Sequence, residues 1–541
     1  MVTMFVSKGT FLYELLKSIL YFKESRKWGF VMKKTAIILM LLTILSTIIG
    51  FIRDLVLSYF YGATYITDAY LISLTIPQTL VAFIGAIIAS IYIPVYSDVE
   101  HKESIEQAEK FTNNLVNYLL LLCMIIVLCV LLATPLFVKI FAMGFTGETF
   151  KLTVRFTRIS IFSIFLSCLI FLYSSYLQIK NKFFITGIIN IPLNIVVILF
   201  IVLSVKYNIY YLVIGSVVGA ILQLMIIIPF LKKSGYKYRF VFDTKDKYIK
   251  KMVSLSIPVI FGVSIYQLNI LIDKTIASQI VTGGISVLSY ASKVNAMVFG
   301  VFAVPIATAL YPMISKMGAE KNMIKLKDTV LKALIIIMIL VIPATVGSMV
   351  LADPIIRLLF ERGAFDSKTI SMTATVLLFY SIGMLGVSLR EILYRAFYSI
   401  QDTKTPLFNA AIAMVLNIIL SIVLSRFIGI GGIALATSIS SIVGAFLLLI
   451  KLRSKVFFFS LKGLFIPFLK ITLSSIAMGF IAKIIYKILI VKLYLFPTVF
   501  FTVLISIVTY IILINKMKVQ EFNELFLIFK NKINKFNRNG L

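Results

Sequence analysis

Apolar residues run in long blocks along this chain, and polar residues are largely confined to the gaps between them. The blocks are of bilayer length and do not alternate residue by residue. They therefore predict membrane-spanning helices and not the strands of a β-barrel. Fourteen spans emerge, over 35–60, 67–96, 111–138, 150–178, 183–205, 208–231, 252–280, 284–315, 327–352, 368–398, 406–427, 430–452, 465–487 and 493–514.

The pattern repeats once. "ASIYIPVYS" (89–97) aligns with "ATALYPMIS" (307–315), and "YLQIKNKFFITGIINIPLNI" (176–195) with "FYSIQDTKTPLFNAAIAMVLNI" (397–418), at offsets near 218 and 223. Helices 1–6 are thus expected to recur as helices 7–12, with two more appended. Six helices leave both copies in one orientation, so the halves should relate by an axis along the membrane normal, with a substrate path between them. The fold class is all-α polytopic. Its expected parts are an N-terminal extension or upstream start (1–31), a first lobe (32–231), a basic linker (232–251), a second lobe (252–453), helices 13 and 14 (454–515) and a basic tail (516–541).

Composition narrows this further. Hydrophobic residues make up 60% of the 541 and charged ones 14%, with mean hydropathy +1.03, which no soluble domain matches. The net charge is +31. Its basic residues gather in alternate gaps, above all in "KKSGYKYRFVFDTKDKYIKK" (232–251), while gaps such as "YGATYIT" and "VTGG" hold none. One gap on that second side carries Arg357 and Arg362, balanced by Asp353 and Glu361. The positive-inside rule puts the basic side and both termini in the cytoplasm of a cell membrane. Nothing in the pattern resembles a nucleic-acid-binding surface. Cys123, Cys129 and Cys168 lie in apolar runs and read as buried thiols, and His101, the single His, as a solvated loop residue. That inventory gives no reason to expect a zinc or haem centre, and nothing in the sequence resembles a catalytic constellation or phosphate loop, so no enzyme is expected.

The charges inside the spans point to function. Arg53 and Asp54 lie in helix 1, in a polar stripe with Ser46, Thr47, Gly50 and Ser58, and Asp68 lies at the start of helix 2. Adjacent residues do not share a helix face, so Arg53 and Asp54 are each expected to find a partner elsewhere, or water. Helix 2 carries Thr75, Thr79, Ala82, Ala86 and Ala89 on one face; helix 8 carries Ser289, Lys293, Ala296, Gly300, Ala303 and Ala307; helix 7 adds Asp273 and Lys274. A charge at the bilayer centre costs at least ~2.5–3.5 kcal/mol, so these groups should face a watery cavity. Two cations there, Arg53 and Lys293, suit an anionic head group, since Arg can grip phosphate through two hydrogen bonds and Lys acts as a point charge. Two other readings stand beside this one: a structural ion pair for Arg53, and helix capping for Asp68. Pro77 and Pro305 are expected to bend helices 2 and 8.

The chain resembles the MurJ/MviN family of lipid II flippases, of the MOP exporter superfamily. The segments that carry the resemblance are "GFIRDLVLSYFYGATYITDAY" with "IPVYSDV", "LSYASKVNAMVFGVFAVPIATALYPMISK", and "LFERGAFD" followed by "LYRAFYSIQDTKTP", within residues 32–515. The resemblance implies fourteen helices in two lobes. It also implies movement of undecaprenyl-pyrophosphate-linked peptidoglycan precursor from the inner to the outer leaflet in the cell-wall pathway, and a monomer is expected. Arg53, Asp54 and Asp68 match the family's cavity positions. Lys293 stands where the family usually has Arg, Thr47 where many members have Arg, and Val81 and Ala82 where many have an Arg pair. Another lipid-linked oligosaccharide, or a drug carried against a cation, are the alternative substrates. Some members bind sodium, and Asp273, Asn417 and Thr437 resemble three of those ligands, with Ser421 in place of an expected carboxylate. Oxygen ligands suit that hard cation, and hydrogen bonding across helices is the other reading of the same residues.

Overall fold

The computed structural model describes residues 29–455 and 462–524, with side chains from Leu42 onward apart from 301, 302 and 309. The expectation for 1–31 and most of the basic tail lie outside the described residues. Nineteen α-helices form the described chain. The first ten are α1 (Gly29–Tyr61), α2 (Tyr65–Ile87), which runs through a π-helical turn (Ile88–Tyr92) into α3 (Ile93–Lys102), α4 (Ile105–Leu132), α5 (Thr134–Phe141), α6 (Gly147–Ser160), α7 (Ser163–Ile179), α8 (Phe183–Ile188), α9 (Asn190–Lys206) and α10 (Tyr211–Lys233). Then come α11 (Lys247–Ile280), α12 (Gly284–Ala319), α13 (Met323–Val350), α14 (Ala352–Phe360), α15 (Ser367–Ser399), α16 (Lys404–Ile428), α17 (Ile430–Lys455), α18 (Lys462–Leu489) and α19 (Leu495–Lys516). Among the described residues, 12 helical segments are long and apolar enough to cross a bilayer; counting the bent pairs α6–α7 (43°) and the two parts of α12 brings this to 14.

The chain divides into two compact units. The first is the described chain up to Ser286 together with Arg362–Asp366; the second is Val287–Glu361 and the described chain from Ser367. The division therefore falls after α11, not in the 232–251 linker. Helix α11, expected to open the second lobe, packs in the first unit against α2, α4 and α5. In the first unit, Leu57, Ala69, Phe156, Val197 and Ile201 belong to one buried cluster. In the second, Ile314, Leu326, Ile337, Ile392, Phe397, Leu448 and Ile471 form another.

Two helices of the second unit, α16 and α19, each turn an apolar stripe outward and a polar one inward, the reverse of a soluble protein. On α16, Phe408, Ile412, Val415, Ile419 and Ile422 recur every three or four residues and are exposed, while Asn409, Ala413, Asn417 and Ser421 recur every four and are buried. Ile419 is 54% exposed and Asn417 2%. A bilayer rewards that arrangement and water would not: lipid solvates the apolar stripe, and polar groups hydrogen-bond between helices. On α19, Thr498, Thr502 and Ser506 are buried and Phe500, Leu504 and Ile507 are exposed in the same way.

Two irregularities have local causes. Pro77 lies within continuous α2, and the departure from α geometry comes later, at the π-helical turn. Pro77 has no N–H for the carbonyl of Ser73, and that carbonyl instead accepts the hydroxyl of Ser160 from the end of α6, at 2.6 Å. In α12 the break between Gly300 and Ala303 comes just before Pro305, as expected. The repeat is also visible in backbone detail. Asn181 and Gln401, at an offset of 220 residues, both take left-handed conformations (φ 59° and 61°) after α7 and α15. Each is followed by an amide that reaches back to a helical carbonyl, Lys182 to Leu177 at 2.8 Å and Asp402 to Phe397 at 3.0 Å.

Candidate functional site

Helix α1 delivers Arg53 and Asp54 to the first unit beside α9. The expectation that neighbours in sequence cannot pair is corrected here. Arg53 donates from Nε (3.2 Å) and Nη2 (3.0 Å) to Oδ1 of Asp54, and from Nη1 to Oδ1 of Asn194 on α9 (3.0 Å). The geometry rule concerns Cβ positions, whereas the long stem of Arg lets its guanidinium wrap along the helix surface to a short neighbouring carboxylate. In a bilayer, the cost of leaving either charge uncompensated favours that wrap. Asn194 is itself held, its amide donating to the Asn190 carbonyl at 2.9 Å. The Arg53 side chain is 29% exposed and that of Asp54 only 7%. Three of the five guanidinium N–H groups are used, and two meet no partner among the described residues. Asn194 is the central residue of the first Leu-Asn-Ile. The repeated motif was the signal that could have singled it out, because a polar residue recurring in two apolar runs needs a partner.

Lys274, from α11, donates to the hydroxyl of Thr75 on α2. The helix 2 stripe grades outward: Thr75 and Thr79 are buried, Ala82 and Ala86 partly so, and Ala89 exposed.

Asp68 is 1% exposed and caps α12, not its own helix. Its Oδ2 accepts the amide of Gly283 (2.7 Å); its Oδ1 accepts the amide of Ser286 (2.8 Å) and the Ser286 hydroxyl. A carboxylate here satisfies the unpaired first amides of a helix and complements its dipole. Asp68 and Ser286 are 218 residues apart, which is the repeat offset, so equivalent positions of the two copies bond to each other. Gly283 makes the turn possible. Its φ is +85°, and a Cβ there would lie 2.1 Å from the Ala63 carbonyl oxygen. Gly363 closes a matching contact of the same unit: at φ +63° its Cβ would lie 2.1 Å from the Tyr59 carbonyl oxygen, which accepts the Ala364 amide at 2.8 Å. Thr67 turns back to the Gly62 carbonyl at 2.9 Å.

Lys293 lies on α12 in the second unit and is partly exposed, as is Ser289; Ala296 and Gly300 are exposed, whereas Ala303 and Ala307 are buried. Of the expected sodium ligands, Asn417 and Thr437 meet between α16 and α17: the Asn417 amide donates to Thr437 Oγ1 at 3.1 Å, and Thr437 donates to the Ile433 carbonyl at 3.0 Å. Ser421 is buried one turn along α16, and Asp273 is on α11 of the first unit.

Away from the spans' interior, Arg357 on α14 meets Asp353 at 2.8 Å and Glu361 at 2.6 Å, the balance anticipated for that loop. Asp353, then Glu361, raise the Arg357 guanidinium above its ordinary value. Cys123 and Cys168 are buried, but Cys129 is exposed, on the side of α4 that carries Ile125 and Leu128. His101 is exposed in the last turn of α3.

Comparison with known proteins follows the same line. The family model described as "Lipid II flippase MurJ" matches residues 57–507. The lipid II flippase MurJ of Thermosipho africanus is 31% identical over 83% of this chain and 90% of its own length. A probable lipid II flippase MurJ of Vibrio cholerae is 29% identical over 77% and 82%. Among solved structures, a lipid II flippase MurJ in an inward closed conformation superposes with TM-score 0.77 at 31% identity, covering 88% of this chain and 98% of that one. An inward-facing MATE multidrug transporter of the MOP superfamily shares the fold alone, with TM-score 0.63 at 13% identity over 76% and 94%.

Proposed function

The chain belongs to the lipid II flippase MurJ family, and from that premise we propose that it carries lipid II, a polyprenyl-pyrophosphate-linked peptidoglycan precursor, from the cytoplasmic to the outer leaflet. It is a multi-pass membrane transporter and not an enzyme. Both termini face the cytoplasm, since the basic gaps lie on their side.

The observation that carries the reading is Arg53. Asp54 and Asn194 hold its guanidinium through three of its five N–H groups, while the side chain as a whole stays 29% exposed. A guanidinium fixed in this way can donate to two oxygens of a pyrophosphate with little further loss of its own conformational freedom. Asp54 keeps the resting charge balanced, so the site is neutral enough to exist in a membrane before the anion arrives. Lys293, on α12 in the second unit, is a point charge without the bidentate geometry. Asp68 fixes the turn that begins α12 by accepting the Gly283 and Ser286 amides. The head group crosses by alternating access while the polyprenyl tail stays in lipid. The membrane potential can supply direction, at ~2.3 kcal/mol per elementary charge per 100 mV.

The test is vectorial movement of labelled lipid II in vesicles reconstituted with the protein. R53A is expected to insert at normal abundance and to lose transport. Normal transport by R53A at normal abundance would reject the proposal.

A further inference from the structure

The basic block between α10 and α11 has more order than a charge signal requires. Residues 236–243 form no regular element, yet three buried asparagines of α4 grip the segment by its backbone and its tyrosines. Asn113 donates to the Lys237 carbonyl (3.1 Å) and accepts the Tyr236 hydroxyl (2.7 Å). Asn114 donates to the Asp243 carbonyl (3.1 Å) and accepts the Asp243 amide (3.0 Å), a two-bond clasp like that between paired strands. Asn117 donates to the Val241 carbonyl (2.8 Å) and accepts the Tyr238 hydroxyl (2.7 Å). Both ends of all three amides are therefore used. Phe242 stacks on Tyr118, centroids 4.8 Å apart.

What the pinned strap presents outward is specific. Lys237 and Arg239 are exposed, and between Arg239 and Val241 stands Phe240, 78% exposed. The strap starts where α10 ends at Lys233 and stops where α11 begins at Lys247, both of them bilayer-length helices, so it lies at the membrane edge. A rigid scaffold that exposes a phenylalanine next to two cations matches the chemistry of a leaflet boundary: anionic phosphates for the cations, and the base of the acyl chains for the ring.

We propose that the 236–243 strap is a docking surface for anionic phospholipid on the basic side of the membrane. Lys237 and Arg239 hold the head group and Phe240 enters the acyl boundary. The chemistry is independent of what the protein transports.

The experiment uses the full chain in nanodiscs. Trp28 is the single tryptophan, so F240W in a W28F background reports from one place. Its emission is compared in phosphatidylcholine discs containing equal fractions of brominated phosphatidylglycerol or brominated phosphatidylcholine. Quenching by the anionic lipid is expected to exceed that by the neutral one by about twofold or more, and to lose the excess at high salt and in K237Q/R239Q. N114A, which frees the clasp and keeps both cations, should also lose the excess; an excess that survived N114A would overturn the claim that the pinned geometry makes the site. Equal quenching by both lipids would reduce Phe240 to an ordinary interfacial residue. An absence of quenching would place the strap in water or under a protein partner. Either result overturns the proposal.

Discussion

Substituting Asp68 by Ala should loosen the turn that begins α12, and the size of the effect can be worked from three bonds. Gly283 N, Ser286 N and Ser286 Oγ all donate to one buried carboxylate. Hydrogen bonds to a charged group contribute ~1.5–3 kcal/mol each, and the helix dipole adds roughly 0.3–1 kcal/mol. The losses do not sum, because the freed donors sit at a turn that water or lipid phosphate can reach once it opens. A net local loss of ~2–4 kcal/mol corresponds to roughly 30- to 700-fold faster amide exchange at Gly283 and Ser286. Hydrogen exchange by mass spectrometry on peptides spanning 281–290, with the protein in nanodiscs, measures this directly. D68N should fall between wild type and D68A, since it keeps one acceptor but aims an N–H at a donor. G283A is the independent arm: the carboxylate is intact, but a Cβ would meet the Ala63 carbonyl in a left-handed backbone, so the same peptide should exchange faster. Exchange in D68A within about threefold of wild type would refute the assignment of Asp68 as the cap of α12.

Other outcomes follow from the same geometry. N194A removes one partner of Arg53 without touching its charge; lipid II transport should fall roughly 5- to 30-fold, equivalent to ~1–2 kcal/mol, with normal protein abundance on immunoblot. K293R should support growth of a strain depleted of its own flippase and K293E should not, because the cation matters at that position and its shape does not. At the turn between α15 and α16, burial works to raise the Asp402 carboxyl, but the Lys455 ammonium at 2.6 Å and the Thr405 amide and hydroxyl outweigh it and hold it at about 2. The folded value lies below the ordinary ~3.9, so the contribution is complete above about pH 4 and is lost as pH falls toward 2. Thermal unfolding of wild type and D402N in detergent should therefore differ at neutral pH and converge at the acid end of that window.

Twelve bilayer-length spans, or up to 14 with the bent pairs, most of them with ends within a few residues, and the alternation of basic gaps could be read directly from the chain, because in a bilayer the length and polarity of each segment decide its fate almost independently of its neighbours. The duplication was legible for a related reason: two copies that must each satisfy the same membrane keep the same pattern, down to the left-handed turns at Asn181 and Gln401. The charged residues were visible as anomalies, but their partners were not. Nothing local indicates that Arg53 would wrap onto Asp54 and be closed by Asn194, more than a hundred residues away, or that Asp68 would cap a helix begun at Gly284. Nor does the 232–251 block announce that three asparagines of α4 would pin it. Those pairings depend on which helix faces lie against one another. A helix in lipid has many apolar faces of nearly equal energy, so the polar contacts that select among them become definite only when the whole bundle is assembled.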